Sequence, residues 1–392
     1  MRRSIVNYSK RIPPPYNPGF GTSPPVLAGR DELLTAFDLG IETGPRSPWF
    51  VHALVGDRGV GKTSLLNAFQ DHAKARGWPV VAIQVVHGEL LIAPLLRDMV
   101  KEAGSTWSKI SKSLKSLNLE IMLGVDFKVA KAEARVTPGT KTAQPLSVVA
   151  RDVFQMIGEH AKSQGKGLLI TLDEAHSLNN RAETAALASV LQTTVKRNQL
   201  PIAVCFAGLP QMRSVFLEAG TFLERMQIDE LGGLNRESAT LALVQPAMRE
   251  GVLIDDDALS CLVESADGYP YLVQLVGFHA WEAMGSGRKI TLAAANAGVI
   301  KARAQLEDVF ESRWKPLSGL ERAYMQVVAR AGGGADSQQI SAALGRTNEQ
   351  LSSTRAELIN KHRLLHAPRR GRVVIALAAF GPWIADQPDA VV

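Results

Sequence analysis

The chain has 392 residues, 46% of them hydrophobic and 21% charged, with a formal net charge of +6. This is the composition of a globular protein long enough for two or three domains, and a mildly basic balance suits nucleic acid without demonstrating it. Two cysteines, Cys205 and Cys261, exclude a disulfide framework and a cysteine-ligated metal module. No stretch approaches the roughly 18 apolar residues of a membrane-spanning helix. Arg2 and Arg3 are not followed by an apolar core of signal-peptide length. The expectation is a cytoplasmic protein without a membrane anchor.

Residues 1–25 carry Pro13, Pro14, Pro15, Pro18, Pro24 and Pro25 and read as an extended arm. Val26 to Leu34 is a turn opening a helix. Trp49 to Val55 is an apolar, strand-like run. It leads into Gly56-Asp57-Arg58-Gly59-Val60-Gly61-Lys62-Thr63-Ser64, which fits the phosphate-loop pattern G-x-x-x-x-G-K-[ST] at every position. A helical pattern with Leu65, Leu66 and Phe69 on one face follows. Strand, loop and helix in that order are the context the motif requires. The glycines let backbone N–H groups turn inward at a helix N-terminus, where anions are favoured. Lys62 would reach the β- and γ-phosphates of ATP, and the Thr63 hydroxyl would bind Mg2+.

A second strand is expected at Val80–Val86. Residues 104–145 read as an insertion. Within it Leu117, Leu119, Ile121, Leu123, Val125, Phe127 and Val129 alternate with mostly polar neighbours, a period of two that means strand. At about 3.3 Å per residue the run is too long for one strand, and a turn near Gly124 makes it a hairpin. Both a covered edge hairpin and a partner-contacting finger fit. Helix resumes at Leu146–Ser163, and the strand Leu168–Leu172 ends in Asp173-Glu174. Asp173 would hold Mg2+, and Glu174 would polarise a water for attack on the γ-phosphate. Phosphoryl transfer needs positioning and charge neutralisation, which these groups supply. Ala175-His176 completes a D-E-A-H string to which little weight attaches. A helix over Arg181–Lys196, a buried parallel strand at Ile202–Phe206 and a short strand at Met226–Ile228 follow. Strands alternating with helices imply an α/β parallel sheet.

From Asn235 to about Lys315 the pattern is helical. Beyond it, Leu320–Ala329 is an amphipathic helix, and Ser337–Gly345 is a short second one. Asn348 caps a third helix reaching Lys361. Leu364–Ala367 and Val373–Ala378 flank Pro368-Arg369-Arg370-Gly371-Arg372. Helix–turn–helix followed by a hairpin reads as a winged helix, whose third helix commonly enters the DNA major groove. Arg346, Arg355, Lys361 and Arg363 lie along or beside that helix. Arg369, Arg370 and Arg372 load the wing tip. DNA is the favoured partner, with protein contact as the alternative.

These features together resemble an AAA+ ATPase, more narrowly the branch of origin-recognition initiators and related bacterial ATPases. The resemblance covers about residues 26–310. Leu27-Ala28-Gly29-Arg30-Asp31-Glu32-Leu33 is similar to the segment that packs by the adenine in relatives, which assigns Gly29 and Arg30 to the nucleotide. Cys205 to Pro210 occupies the strand-end position of sensor 1. Phe222-Leu223-Glu224-Arg225-Met226 resembles the segment carrying an arginine finger. Gly268-Tyr269-Pro270-Tyr271-Leu272 begins the sensor 2 helix. The resemblance implies an α/β P-loop NTPase core at 26–233, a helical lid at 234–316 and a winged helix at 317–392. It implies ATP and Mg2+ as cofactors, and a homo-oligomer in which Arg225 reaches a neighbouring site. Ala207 and Gly208 stand where sensor 1 usually offers Asn, Thr or Ser, and Tyr271 stands where sensor 2 usually carries Arg. Removing such a donor costs about two to three orders of magnitude in rate, so the expectation is slow turnover: an ATP-gated switch acting on DNA. Alternatives are a signalling switch with a protein partner and a transposition-helper ATPase.

Overall fold

The computed structural model describes residues 12–19, 21–107, 145–219, 226–377 and 379–390. The expected hairpin at 117–129 and Arg225 lie outside the described residues. The chain forms two compact units. One comprises Leu33–Val55 and Leu66–Glu230, the other Met1–Glu32, Gly56–Leu65 and Leu231–Val392. No helix among the described residues is long and apolar enough to cross a membrane.

The first unit is built on a sheet of five strands, β1 (Val51–Gly56), β2 (Val80–Gln84), β3 (Leu168–Asp173), β4 (Ile202–Gly208) and β5 (Gln227–Leu231), in the order β2-β3-β4-β1-β5. Strands β2, β3, β4 and β1 pair in parallel, with Ala53 opposite Phe206 and Thr171 opposite Cys205. Strand β4 is buried along its whole length, as a central strand covered on both faces must be. Around the sheet run α1 (Asp31–Thr43), α2 (Lys62–Ala75), α3 (Ile92–Thr106), α4 (Leu146–Ser163), α5 (Arg181–Val190) and α6 (Met212–Ala219). Helix α4 buries Val149, Val153, Phe154, Ile157 and Ala161, the three-and-four spacing of a single apolar face. A β-carbon on Gly158 would come within 2.8 Å of Leu200, so glycine lets that face seat closely.

Strand β1 starts two residues later than expected, because Ser47 caps a short turn at Pro48–Phe50 by accepting the Trp49 N–H. Strand β2 stops at Gln84, and α5 gives way to a π-helical stretch over Leu191–Arg197.

In the core of this sheet His52 stands opposite Cys205. Its Nδ1 lies 2.7 Å from the Trp49 carbonyl and donates to it, so Nε2 accepts from the Cys205 thiol at 3.0 Å. Burial holds the His52 pKa down to about 4, and burial pushes the Cys205 thiol well up. The pair is therefore neutral. The unfolded chain takes up this proton below about pH 6.5, whereas the folded chain does so only near 4. Stability from His52 is thus complete above pH 6.5 and is lost as pH falls towards 4, by about 3 kcal/mol in all. Urea unfolding between pH 7 and pH 4 should show the parent losing that much more stability than His52→Gln; equal losses would refute the assignment.

The second unit contains α7 (Arg236–Arg249), β6 (Leu253–Ile254), α8 (Asp256–Ala266), α9 (Pro270–Met284), β7 (Lys289–Ile290) and α10 (Leu292–Trp314). Helix α9 is hydrophobic nearly all round because it runs through the middle of this group. The extended segment 12–19 is pinned to it. Tyr16 is buried and donates to the Leu243 carbonyl at 2.7 Å, and Trp281 donates to the Ile12 carbonyl at 2.9 Å.

The C-terminal part comprises α11 (Gly319–Arg330), β8 (Gly334–Asp336), α12 (Ser337–Leu344), α13 (Ser352–Ala356), β9 (Leu365–His366), β10 (Arg372–Ile375) and α14 (Phe380–Ala385). Its small antiparallel sheet has the order β8-β10-β9. Phe310 of α10 stacks on Phe380 at 4.9 Å, so one core continues from the helices into this part. Asn348 does not cap a long third helix as expected. Thr347 and Gln350 bond each other reciprocally, and Asn348 accepts from Ser341. Regular helix spans only Ser352–Ala356 before a π-turn at Glu357–Lys361.

Candidate nucleotide site

In the parallel sheet, the carboxyl ends of β3, β4 and β1 lie on one edge, the edge where open α/β sheets bind ligands. Strand β1 continues there into the phosphate loop. Gly59 and Gly61 adopt φ of 77° and 93°, conformations that favour glycine strongly and let consecutive N–H groups face inward. Helix α2 begins at Lys62. The Lys62 ammonium is buried and donates to the carbonyls of Gly56 at 2.8 Å and Asp57 at 2.7 Å. Thr63 is exposed at the first turn.

Several residues distant in sequence close on this loop within the second unit. Arg30 donates to the carbonyls of Val60 at 3.2 Å and Gly232 at 2.6 Å, and burial lowers its pKa. Gly29 beside it has φ of 67°, and a β-carbon there would strike Ser238. Arg30 thus braces the loop from outside. The Tyr269 hydroxyl lies against Gly59 so closely that no side chain fits at position 59. Burial, then the neighbouring Tyr271, raises the Tyr269 pKa and keeps the hydroxyl protonated. Arg313, near the end of α10, has its pKa lowered by burial and by the like charge of Arg58. Neither arginine has an ion-pair partner among the described residues. Two guanidinium groups at a phosphate loop add positive field that favours polyanions, against the adjacent carboxylate of Asp57.

The C-terminal sheet reaches the same loop. The Arg58 N–H donates to the Ala376 carbonyl at 3.2 Å, one residue beyond β10. His366 of β9, buried, places Nε2 3.9 Å from an Asp57 carboxylate oxygen.

In the first unit, β3 ends at Asp173, whose carboxylate accepts the Glu174 N–H at 2.8 Å. Glu174 has φ of 55°, a left-handed conformation costing a non-glycine residue roughly 1–2 kcal/mol. His176 is nearly buried, and its Nδ1 accepts the Leu209 N–H at 3.3 Å. That contact leaves the proton on Nε2, which faces a Glu174 oxygen at 3.4 Å. His176 therefore ties Glu174 to the end of β4. A β-carbon at Gly208 would approach the His176 backbone nitrogen to 3.0 Å and Met212 to 2.9 Å. The strand end that lacks a polar sensor side chain is the one that makes room for His176. Sequence reading gave His176 little weight and missed Tyr269, Arg313 and His366 as neighbours of the loop. Of these, His176 had a local signal, its place directly after Asp173-Glu174-Ala175, and Tyr269 lay in the segment resembling the start of the sensor 2 helix.

Residues 26–205 match the model of the AAA ATPase domain family. This region is similar to AAA ATPase domains. Residues 307–384 match a domain of unknown function. No sequence match to a curated protein was found. Among solved structures, the chain is similar to the Walker-type ATPase of Pyrococcus abyssi at 17% identity. The match covers 91% of this chain and 96% of that one, with a TM-score of 0.56. It is also similar to the ORC2 protein of Aeropyrum pernix, solved in ADPNP–ADP complexes, at 15% identity over 94% and 96% of the two chains with a TM-score of 0.54. At these identities the likeness is one of fold. The region has the P-loop NTPase fold, a parallel sheet flanked by helices with the phosphate loop after β1.

The basic residues expected to meet DNA divide into two groups. Arg346, Arg363 and Arg370 are exposed and have no ion-pair partner among the described residues. Lys361 lies 3.5 Å from Glu357, and Arg369 and Arg372 share Asp336 at 3.6 and 3.4 Å. Arg355 is half-buried, with its Nε lacking a hydrogen-bond partner.

Proposed function

We propose that this protein is an ATP-binding AAA+ ATPase of slow turnover that binds DNA through a C-terminal winged helix, with ATP acting as the switch on assembly or DNA grip. The observation that carries the reading is the junction between the phosphate loop and the C-terminal sheet. Arg58 bonds Ala376, and Asp57 faces His366. Inward N–H groups gathering around phosphates would pull on residues 57 and 58, and both are tied to the strands that flank the basic wing. Nucleotide occupancy and the set of the wing are then mechanically coupled.

On this reading Lys62 and the loop amides bind the phosphates, Thr63 and Asp173 hold Mg2+, and Glu174, oriented by His176, polarises the attacking water. ADPNP and ADP in the Aeropyrum pernix structure support adenine nucleotide as the ligand. Gly29 and Arg30 act by shaping the loop and its approach to the base. Arg225 of a neighbouring copy completes the site, so hydrolysis requires a homo-oligomer.

For DNA, Arg346, Arg355, Lys361 and Arg363 line the recognition side, while Arg369, Arg370 and Arg372 form the wing. An Arg369/Arg370/Arg372 alanine triple variant should bind duplex DNA about tenfold or more weakly, with its log affinity–log salt slope shallower by up to about 2.7. The pairing with Asp336 sets the real value below that ceiling. Fluorescence anisotropy at several salt concentrations measures both. A triple variant that binds as the parent does would remove the wing from the DNA interface and favour a protein partner there.

A further inference from the structure

We propose that Glu321, Glu357 and His362 form a binding site for one divalent transition cation of the zinc class. The three residues come from two elements of the C-terminal part. Glu321 sits in the first turn of α11, and Glu357 and His362 bracket the π-turn after α13. Each offers one ligand atom, and the three atoms all lie within 4.8 Å of one another.

The π-turn is what makes the site. In a regular α-helix, residues five apart point about 140° away from each other. Here the turn is widened by one residue, and the His362 N–H closes onto the Glu357 carbonyl at 2.9 Å. The widening turns Glu357 and His362 to the same side. Such turns occur frequently at functional sites.

The buried Glu321 carboxylate has one oxygen committed and one left over. Glu321 is 6% exposed. One of its oxygens, Oε2, accepts from the Ser318 N–H and hydroxyl at 2.8 Å each, completing a capping box. The other, Oε1, is buried and lies 3.1 Å from His362 Nε2, yet neither atom makes a hydrogen bond. With the imidazole proton on Nδ1, Nε2 would present a lone pair beside the buried Oε1, and the Glu357 carboxylate lies close enough to complete the set. Zinc bound at 2.0–2.1 Å in tetrahedral geometry sets its ligand atoms about 3.3 Å apart, matching this spacing. One imidazole and two carboxylates are a donor set that suits zinc and is rarely chosen by magnesium. The Glu357 side chain is half exposed, so the fourth position opens to water. The cation would offset two adjacent carboxylates and clip α11 to the turn that leads into β9.

The test uses the full chain, stripped with chelator and free of nucleotide, titrated with Zn2+ by calorimetry and followed by thermal unfolding, with Mg2+ as the comparison. The expected result is one Zn2+ per chain and a raised melting temperature, with no comparable response to Mg2+. His362→Ala and Glu357→Gln should each weaken binding by about tenfold or more. Glu357→Gln, on a half-exposed side chain, keeps the readout available if His362→Ala unfolds. Absence of Zn2+ binding, or binding unchanged in the folded variants, overturns the proposal.

Discussion

Replacing Lys62 with alanine should abolish ATP binding, read by calorimetry as a loss of affinity of about a hundredfold or more, or about 2.8 kcal/mol. The ammonium is 6% exposed and held by two loop carbonyls, so it is already desolvated and positioned. A charge in such a place acts at low effective dielectric, where attraction to a triphosphate is strong. Truncation also leaves the Gly56 and Asp57 carbonyls without their donor, at a cost of roughly 1–3 kcal/mol per bare group. Thermal unfolding without nucleotide separates that structural loss from the loss of binding. Unchanged ATP affinity in a folded Lys62→Ala protein would take the phosphate loop out of the nucleotide site.

The second large effect concerns Glu174. Glu174→Gln should keep ATP affinity within about twofold while lowering kcat by two to three orders of magnitude, the usual contribution of a general base. The amide is isosteric, so it retains the backbone conformation at φ of 55° and loses only basicity. His176→Ala should fall on the same side of the ledger. It removes the link from the Leu209 N–H to the Glu174 carboxylate and so misaligns the base, lowering kcat by about tenfold or more with KM little changed. Turnover in Glu174→Gln equal to the parent's would place the base elsewhere, and a KM effect in His176→Ala would mean that the histidine supports the fold of the site instead.

The parts of this structure that were legible in the sequence are those encoded locally. The phosphate loop could be read because glycines at 59 and 61, a following Lys-Thr and an apolar strand before them are all within a dozen residues. The central strands could be read because burial on both faces demands continuous apolar runs such as Ile202–Phe206. Pro368 and Gly371 marked the turn between β9 and β10, but β10 ends at Ile375, three residues before the expected end at Ala378, and β8 was not expected at all. What the sequence hid is tertiary. Tyr269, Arg313 and His366 meet the loop from more than 200 residues away; only Tyr269 lay in a segment that the resemblance marked, and there attention fell on Tyr271. Tyr16 looked like part of a proline-rich arm, yet its ring fills a buried slot against Trp281 and Gly277. The π-turn at Glu357–Lys361 replaces the end of a helix that propensity alone would continue.

The same contacts would couple the loop to the rest of the chain. A phosphate loop with a free outer surface could bind ATP without informing any other part of the chain. Here Asp57 lies 3.9 Å from His366 of β9 and Arg58 bonds Ala376 just beyond β10, and the turn carrying Arg369, Arg370 and Arg372 joins those strands. The proposed slow turnover would suit such a device, because a state that persists for the lifetime of bound ATP is what a switch requires.

The most direct test is the affinity for duplex DNA measured by anisotropy with and without ATP and Mg2+, at fixed salt, in the parent and in Lys62→Ala. The account predicts that ATP changes the parent's affinity by about tenfold or more, a coupling of about 1.4 kcal/mol, and leaves Lys62→Ala unaffected. A parent protein that binds ATP and binds DNA, with neither altering the other, would contradict it.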